Sequence, residues 1–567
     1  MVSRSDSSPR LSRRTLLSAV LPTVAATALL AACGQQAPAA PPKSEAPAQK
    51  PAEAAKPAEA AKPAEAAKPA AAAKPAEGKP AGAPKKGGTL RVGLYIEAAT
   101  MDPHLSGSKI DRQIYHNVYE PLVVLDVKLG LTPGLAESWK LEDPKTLVFK
   151  LRQGVKFHDG TDFNAEAAKF NFDRMANPDT KSVRRGEIAN IESAQVVDPY
   201  TLKLNLKKPD ASLLATLTDR AGMMISPATI QKLGKDLERN ATGAGTGPFQ
   251  FVEWVKDDRI VLKRNDAYWN KQGGPYLDGI RYRTIPDDTV KLQSLQAGEI
   301  DVMDYVTPRD VAPVKADTRL VEMDVPSLAT FNYQINHTKP PFDKKALRQA
   351  VAYATDVDAI VKGVWLNVGV ASNGPIPPSS WAYDDSIKPI KRDIAKAKQL
   401  LAEGGAPNGF TFSMTINNIP INVQEAEAIK AQLAEAGITM NIKLVDAATL
   451  LSDGNGKNFD MISYQWSGRP DPDGNVYQFF RTTPGVSLNW SGISNPKLDE
   501  LLDKTREVSD QAERKKLYSE VTRILQDELP MLFILHPIEP KAFSPKVKGY
   551  EPVPDGMMRF KDVWLDA

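Results

Sequence analysis

Pro133-Gly134-Leu135-Ala136-Glu137-Ser138-Trp139, Phe149-Lys150-Leu151-Arg152 and Val155-Lys156-Phe157-His158-Asp159-Gly160-Thr161 make up the most informative stretch of this 567-residue chain. Within and around it the pattern changes between strand and helix. Thr146–Leu151 (TLVFKL) alternates apolar and polar residues, which marks a half-buried strand, and Thr201–Leu206 (TLKLNL) does the same. Ala165–Met175 predicts a helix with Asn164 as its N-cap. Phe157-His158-Asp159-Gly160 sets a histidine beside an aspartate, a pairing that invites comparison with acid–base catalysis.

Working outward, Thr89–Ile96, Leu122–Leu125, Arg259–Lys263 and Ile280–Ile285 predict strands, and Ser108–Tyr119 and Thr289–Ala297 predict helices. A second block follows. Lys344–Tyr353, Val357–Val364, Asp393–Glu403, Gln424–Ala436, Pro496–Val508 and Gln511–Glu528 predict helices. Phe410–Ile416, Met440–Val445, Phe459–Tyr464 and Leu532–Leu535 predict strands. The fold class is α/β, in two large lobes.

Composition narrows the function. The chain is 42% hydrophobic and 25% charged, with mean hydropathy −0.34, which excludes a multi-span membrane protein. Residues 1–86 hold 13 of the 72 basic and 6 of the 69 acidic side chains. That leaves 59 and 63 for residues 87–567, a net charge of −4 and no electrostatic footprint for nucleic acid. The single cysteine, Cys33, excludes an intrachain disulfide. His104, His116, His158, His337 and His536 are scattered and form no metal-binding spacing, so neither a metal nor a cofactor is expected.

The first 86 residues predict an address and a tether. Arg4, Arg10, Arg13 and Arg14 precede an apolar run, Thr15–Ala32, of signal-peptide length. Ser12-Arg13-Arg14-Thr15-Leu16-Leu17 has the form of a twin-arginine export signal, with an ordinary basic leader as the alternative. Leu30-Ala31-Ala32-Cys33 has the form of a lipobox, which makes 1–32 the leader and Cys33 the lipidation site. Two or three acyl chains anchor stably where one would not. From Pro51 the hexad PAEAAK occurs three times and PAAAAK once, ending at Lys74. Proline every six residues interrupts helix hydrogen bonding and nothing large enough to form a core is present, so 33–86 predicts a polar, semi-rigid spacer. The body would then lie outside the cytoplasmic membrane, in the periplasm or at the outer face.

The opening stretch, together with Met101-Asp102-Pro103-His104, Asn117–Leu122, Gly245–Phe249, Ala267-Tyr268-Trp269, Ala297–Asp301, Lys339–Phe342 and Arg348–Asp356, resembles the bacterial extracellular solute-binding proteins of family 5. The likeness runs over residues 88–567. It implies a type II periplasmic-binding-protein fold with two lobes and an extra third domain. Domain I takes 87–125, 241–327 and 537–567; domain II takes 126–240; domain III takes 328–536. A peptide or other small polar solute sits between domains I and III. They close about crossings near 325–330 and 533–540, and an ABC permease with its ATPases reads the closed, monomeric receptor.

In peptide-binding members of that family an aspartate three residues after a tryptophan pairs with the peptide ammonium. Here Trp466 is followed by Ser467, Gly468 and Arg469. An arginine repels an ammonium and pairs bidentately with a carboxylate, which favours an anionic or hydroxyl-rich ligand. Two alternatives stay open: Arg469 points to solvent, or the register slips and Asp471 is the anchor. Ser106, Gly107 and Ser108 resemble the domain I segment that offers backbone groups to the ligand. Asn417, Asn418 and Tyr464 are further lining candidates.

The resemblance places Phe157–Gly160 in a turn remote from the cleft. Gly243-Ala244-Gly245-Thr246-Gly247-Pro248 lacks the spacing of a phosphate loop. Asp453–Lys457 and Asp471–Asn475 lack the ligand positions of a calcium loop and are expected to be plain turns. The leading function is therefore a non-enzymatic solute receptor of an importer. An exported hydrolase using Asp471 and Asp473, and a solute sensor uncoupled from import, are the alternatives.

Overall fold

In a computed structural model, the chain is described over residues 82–482 and 488–566. The leader at 1–32, Cys33 and all but the last five residues of the 33–86 segment lie outside the described residues. Three sheets organise the body. Thr89–Leu94 is the central strand of the first, because Leu90, Val92 and Leu94 bury their side chains while neighbours flank it on both edges. The seven strands run in the order Val321–Val325, Glu539–Phe543, Val302–Met303, Thr89–Leu94, Gly279–Thr284, Arg259–Arg264, Phe249–Val255. The helix Lys109–Val118 packs Ile110, Ile114 and Tyr115 into the same core, with Ser108 accepting the Ile110 amide as N-cap.

The second sheet has six strands, ordered Gly369–Ala371, Met531–Pro537, Thr330–Ile335, Met461–Trp466, Thr411–Asn417, Thr439–Val445. Met531–Pro537 is buried at every residue, which explains the unbroken apolar run Met531–Leu535. The third sheet is antiparallel, ordered Ala136–Asp143, Thr146–Leu151, Thr201–Leu206, Ile191–Asp198, and the helix Ala165–Ala176 packs on it. The chain passes from the seven-stranded to the six-stranded sheet at 326–329 and returns at Ile538.

Sequence reading missed Ala136–Asp143. This edge strand exposes most of its residues, so it carries no apolar alternation. The two runs expected to be plain turns are partly helical instead. Asp453–Asn455 closes the helix Ala447–Asn455, and Asp473–Asn475 opens the helix Asp473–Phe480. Gly454 is a packing glycine: a Cβ there would lie 2.6 Å from the Trp490 indole.

The motif at 157–160 and the glycines at 243–247 form one interlocked structure. His158 donates its amide to the Gly245 carbonyl at 2.7 Å, and its Nε2 lies 2.9 Å from the Gly247 carbonyl. Asp159 accepts from the hydroxyls of Ser226 and Thr229. A Cβ on Gly245 would sit 1.9 Å from the Val118 carbonyl, so this glycine permits close backbone approach.

Burial lowers the pKa of all five histidines, to about 4 for His104, His158 and His536 and about 3 for His116 and His337. Unfolded histidine titrates near 6.5. Their stabilising contribution is therefore complete above pH 6.5 and is lost as pH falls towards the folded values. For His536 the loss at pH 5 is about 2 kcal/mol. Urea unfolding at pH 7 and pH 5 should show a stability difference that shrinks by about that amount in His536→Gln.

Candidate functional site

The site grows from the end of the strand Met461–Trp466. Trp466 pairs in register with Thr330, the first strand residue after the crossing at 326–329, so the following residues emerge beside that crossing. Gly468 takes φ +76, and a Cβ there would be 2.0 Å from the Leu328 carbonyl. Only glycine fits this turn. It delivers Arg469 into a prepared seat. Asn475 Oδ1 accepts both the Arg469 amide and the Trp466 indole N–H, each at 3.0 Å. The Arg469 guanidinium lies 4.3 Å over the Trp466 ring, and its Nη1 donates to the Gly468 carbonyl at 2.8 Å.

Arg469 does not point to solvent. Only 8% of the residue is exposed, and its Nη2 lies 3.3 Å from Oε1 of Glu187. Glu187 belongs to the loop that leads into Ile191–Asp198, so this pair joins the six-stranded and four-stranded blocks. The Arg506 carbonyl accepts the Ala211 amide at 2.8 Å between the same two blocks. Burial alone would raise the Glu187 pKa, but Arg184, Arg469 and Arg220 hold it below the usual value. Arg184 Nη1 donates to the same Oε1 at 2.6 Å.

Asp471 is not open to a ligand. Arg514 grips its two oxygens at 2.8 and 2.7 Å, and Arg506 grips Asp473 with two bonds of 2.7 Å. Burial raises the Asp471 pKa and Arg514 opposes the shift. The slipped register that made Asp471 the anchor is thus corrected: the carboxylate is an internal partner of the helix Gln511–Glu528. The same pairs occupy both carboxylates considered for hydrolysis.

The remaining candidates divide. Ser106 and Ser108 direct their carbonyls to Arg220 Nη1, each at 3.1 Å, while the Ser106 hydroxyl donates to Asp111 at 2.7 Å. Gly107 is the exposed member of that loop, with nothing within 4 Å of a Cβ position. Tyr464 is half-buried edge-on to Trp490, ring centroids 4.9 Å apart. Ser467 is half-buried next to Gly468, Asn418 is exposed, and Asn417 accepts the Asn422 amide.

Sequence reading missed Tyr95 and Ile96, which follow the central strand of the seven-stranded sheet. They keep 39% and 51% of their surface open. Burial and the nearby Asp304 raise the Tyr95 phenol above its ordinary value. The C-terminal ends of parallel strands are where open α/β sheets receive ligands. Sequence reading also missed Arg184, Glu187 and Arg220. Residue 187 lies 282 positions from Arg469, and no local pattern announces the pair.

Two α/β sheets joined by two short crossings, with a seated arginine where the blocks meet, define a two-lobed solute receptor. The chain belongs to the bacterial extracellular solute-binding proteins of family 5, the receptors of ABC importers: residues 130–487 match the model of that family's middle region. It is 31% identical over 477 residues to the glutathione-binding protein GsiB of Pectobacterium atrosepticum, covering 82% of this chain and 92% of that one. The periplasmic binding protein DppA of Helicobacter pylori, solved with the peptide STSA, superposes with TM-score 0.78 at 28% identity, covering 85% of this chain and 99% of that one. AgaA of A. tumefaciens R10, solved with agropinic acid, gives 0.76 at 27% identity over the same shares. Members of this family bind substrates for import rather than turning them over.

Asp471→Asn leaves the Arg514 guanidinium without its buried counter-charge and should cost about 3–5 kcal/mol in urea unfolding. Arg469→Ala leaves Glu187 with Arg184 and should cost less, about 1.5–3 kcal/mol. Equal losses would make Arg469 a structural residue.

Proposed function

We propose that this protein captures a small, negatively charged, peptide-like solute of the glutathione class and presents it to an ABC permease. The observation that carries this reading is the seat of Arg469. Where the family resemblance implies an aspartate, this chain holds a guanidinium over Trp466, and the two aspartates that follow are occupied by Arg514 and Arg506. A planar guanidinium pairs with a carboxylate bidentately and repels an ammonium. Trp466, Ser467, Gly468 and Tyr464 line one side; Gly107, between Ser106 and Ser108, offers backbone groups from the other; Asn418 stands at the rim.

Each sheet is the core of one domain: 87–125 with 241–327 and 537–567, then 126–240, then 328–536. Closure swings the last against the first about 326–329 and Ile538. The protein works as a monomer without catalysis. It is exported by the twin-arginine route and held outside the cytoplasmic membrane by lipid on Cys33, with 33–86 as a tether.

Native mass spectrometry of the exported protein, followed by release and identification of the bound compound, tests the ligand class. The expected compound carries at least one free carboxylate, and Arg469→Asp should reduce its retention at least a hundredfold. A cationic or uncharged compound overturns the reading. Cys33→Ser should move the protein from the membrane to the soluble fraction.

A further inference from the structure

Glu187 stands where an anionic ligand would be expected to sit. One of its oxygens, Oε1, is shared by two guanidinium groups, Arg184 at 2.6 Å from its own loop and Arg469 at 3.3 Å from the six-stranded block. Two arginines converging on a single carboxylate oxygen is a carboxylate clamp, and here the carboxylate is the protein's own. The other oxygen, Oε2, makes no hydrogen bond among the described residues.

Arginines crowd this site. Arg112, Arg184, Arg220 and Arg469 gather around Glu187 and Asp219, with Asp111 beside Arg220 and the Asp555–Arg559 pair beside Arg112. Asp219 is engaged by Arg112 Nε at 3.0 Å. Arg112 Nη1, Arg184 Nε and Arg220 Nε are buried and make no hydrogen bond among the described residues. These three buried guanidinium nitrogens are unfilled donors, and unfilled buried donors favour one more acceptor.

We propose that Glu187 is an internal stand-in for the ligand carboxylate: it joins the empty receptor across the Arg184–Arg469 clamp, and a ligand carboxylate displaces it from Arg469. The inference rests on the reading that Arg469 receives a ligand anion. Displacement leaves Glu187 with Arg184, so the departing carboxylate stays compensated. It also sets a threshold. A ligand without a carboxylate offers Arg469 nothing in exchange and does not displace Glu187, whereas a carboxylate-bearing ligand replaces one charge-assisted pair by another. Glu187 thereby raises selectivity at the expense of affinity.

The test is isothermal titration calorimetry of the exported protein, solubilised in mild detergent, with glutathione as the probe. Wild type, Glu187→Gln, Glu187→Asp and Arg469→Asp are compared, with the exposed Glu192→Gln as a control for long-range charge. Glu187→Gln should bind on the order of tenfold more tightly, Glu187→Asp like wild type, and Glu192→Gln unchanged. Small-angle scattering of the ligand-free Glu187→Gln protein should show a larger radius of gyration, because the pair between the blocks is gone. Unchanged or weaker binding by Glu187→Gln, with Arg469→Asp still inactive, overturns the stand-in alone. Weaker binding would make Glu187 a partner of the ligand's ammonium. Glutathione that fails to bind wild type, or binds Arg469→Asp equally well, overturns the reading of the ligand class and this inference with it.

Discussion

Among the described residues the chain passes between the seven-stranded and six-stranded sheets at only two places, 326–329 and Ile538, and the arrangement of the rest depends on that constraint. The crossings are fastened to each other and to what surrounds them. Ser327 donates to Glu539 at 3.1 Å, Lys109 reaches the same carboxylate, and the Ser379 hydroxyl holds the Ser327 carbonyl. Burial would raise the Glu539 pKa, but Lys109 and Lys541 keep it low, so the carboxylate stays charged and the crossings stay paired. The Gly468 turn lies against the Leu328 carbonyl with no room for a Cβ. The turn that carries Arg469 is therefore built against one of the two crossings.

Charge pairing divides the arginines near this axis into two kinds. Arg514 with Asp471 and Arg506 with Asp473 are bidentate pairs inside one block. They hold the segment after Trp466 in one conformation and are satisfied whether the lobes are open or shut. Arg469 with Glu187 is a single, longer contact between blocks. A buried charge needs a partner in every state the protein visits. Pairs within a block meet that need permanently, whereas a pair between blocks has to exchange partners when the blocks separate. In the proposed function, that difference makes Arg469, and not the neighbouring aspartates, the group whose compensation a ligand can change.

Much of the fold was legible in the sequence because local pattern and tertiary role agreed. Thr146–Leu151 and Thr201–Leu206 are strands at the expected residues, and Asn164 caps its helix through the Ala167 amide. Gln511–Glu528 is a helix over the range its periodicity predicted. Pattern failed where exposure or packing overrode it. Ala136–Asp143 is exposed along most of its length, and the glycine-bearing runs at 453–457 and 471–475 read as turns although Gly454 is small to admit Trp490.

The sequence by itself determined which residue follows the tryptophan. Arg469 stands three residues after Trp466, and its charge is a property of the side chain alone. It also determined the α/β class, since hydrophobic period is a local quantity. Only the tertiary structure decided that Asp471 and Asp473 are occupied, that Arg220 binds the carbonyls of Ser106 and Ser108, and that Glu187 meets Arg469. These contacts join residues between 33 and 282 positions apart. Electrostatic compensation depends on distance in space, and that distance is set by how three sheets pack, which no local window of sequence contains.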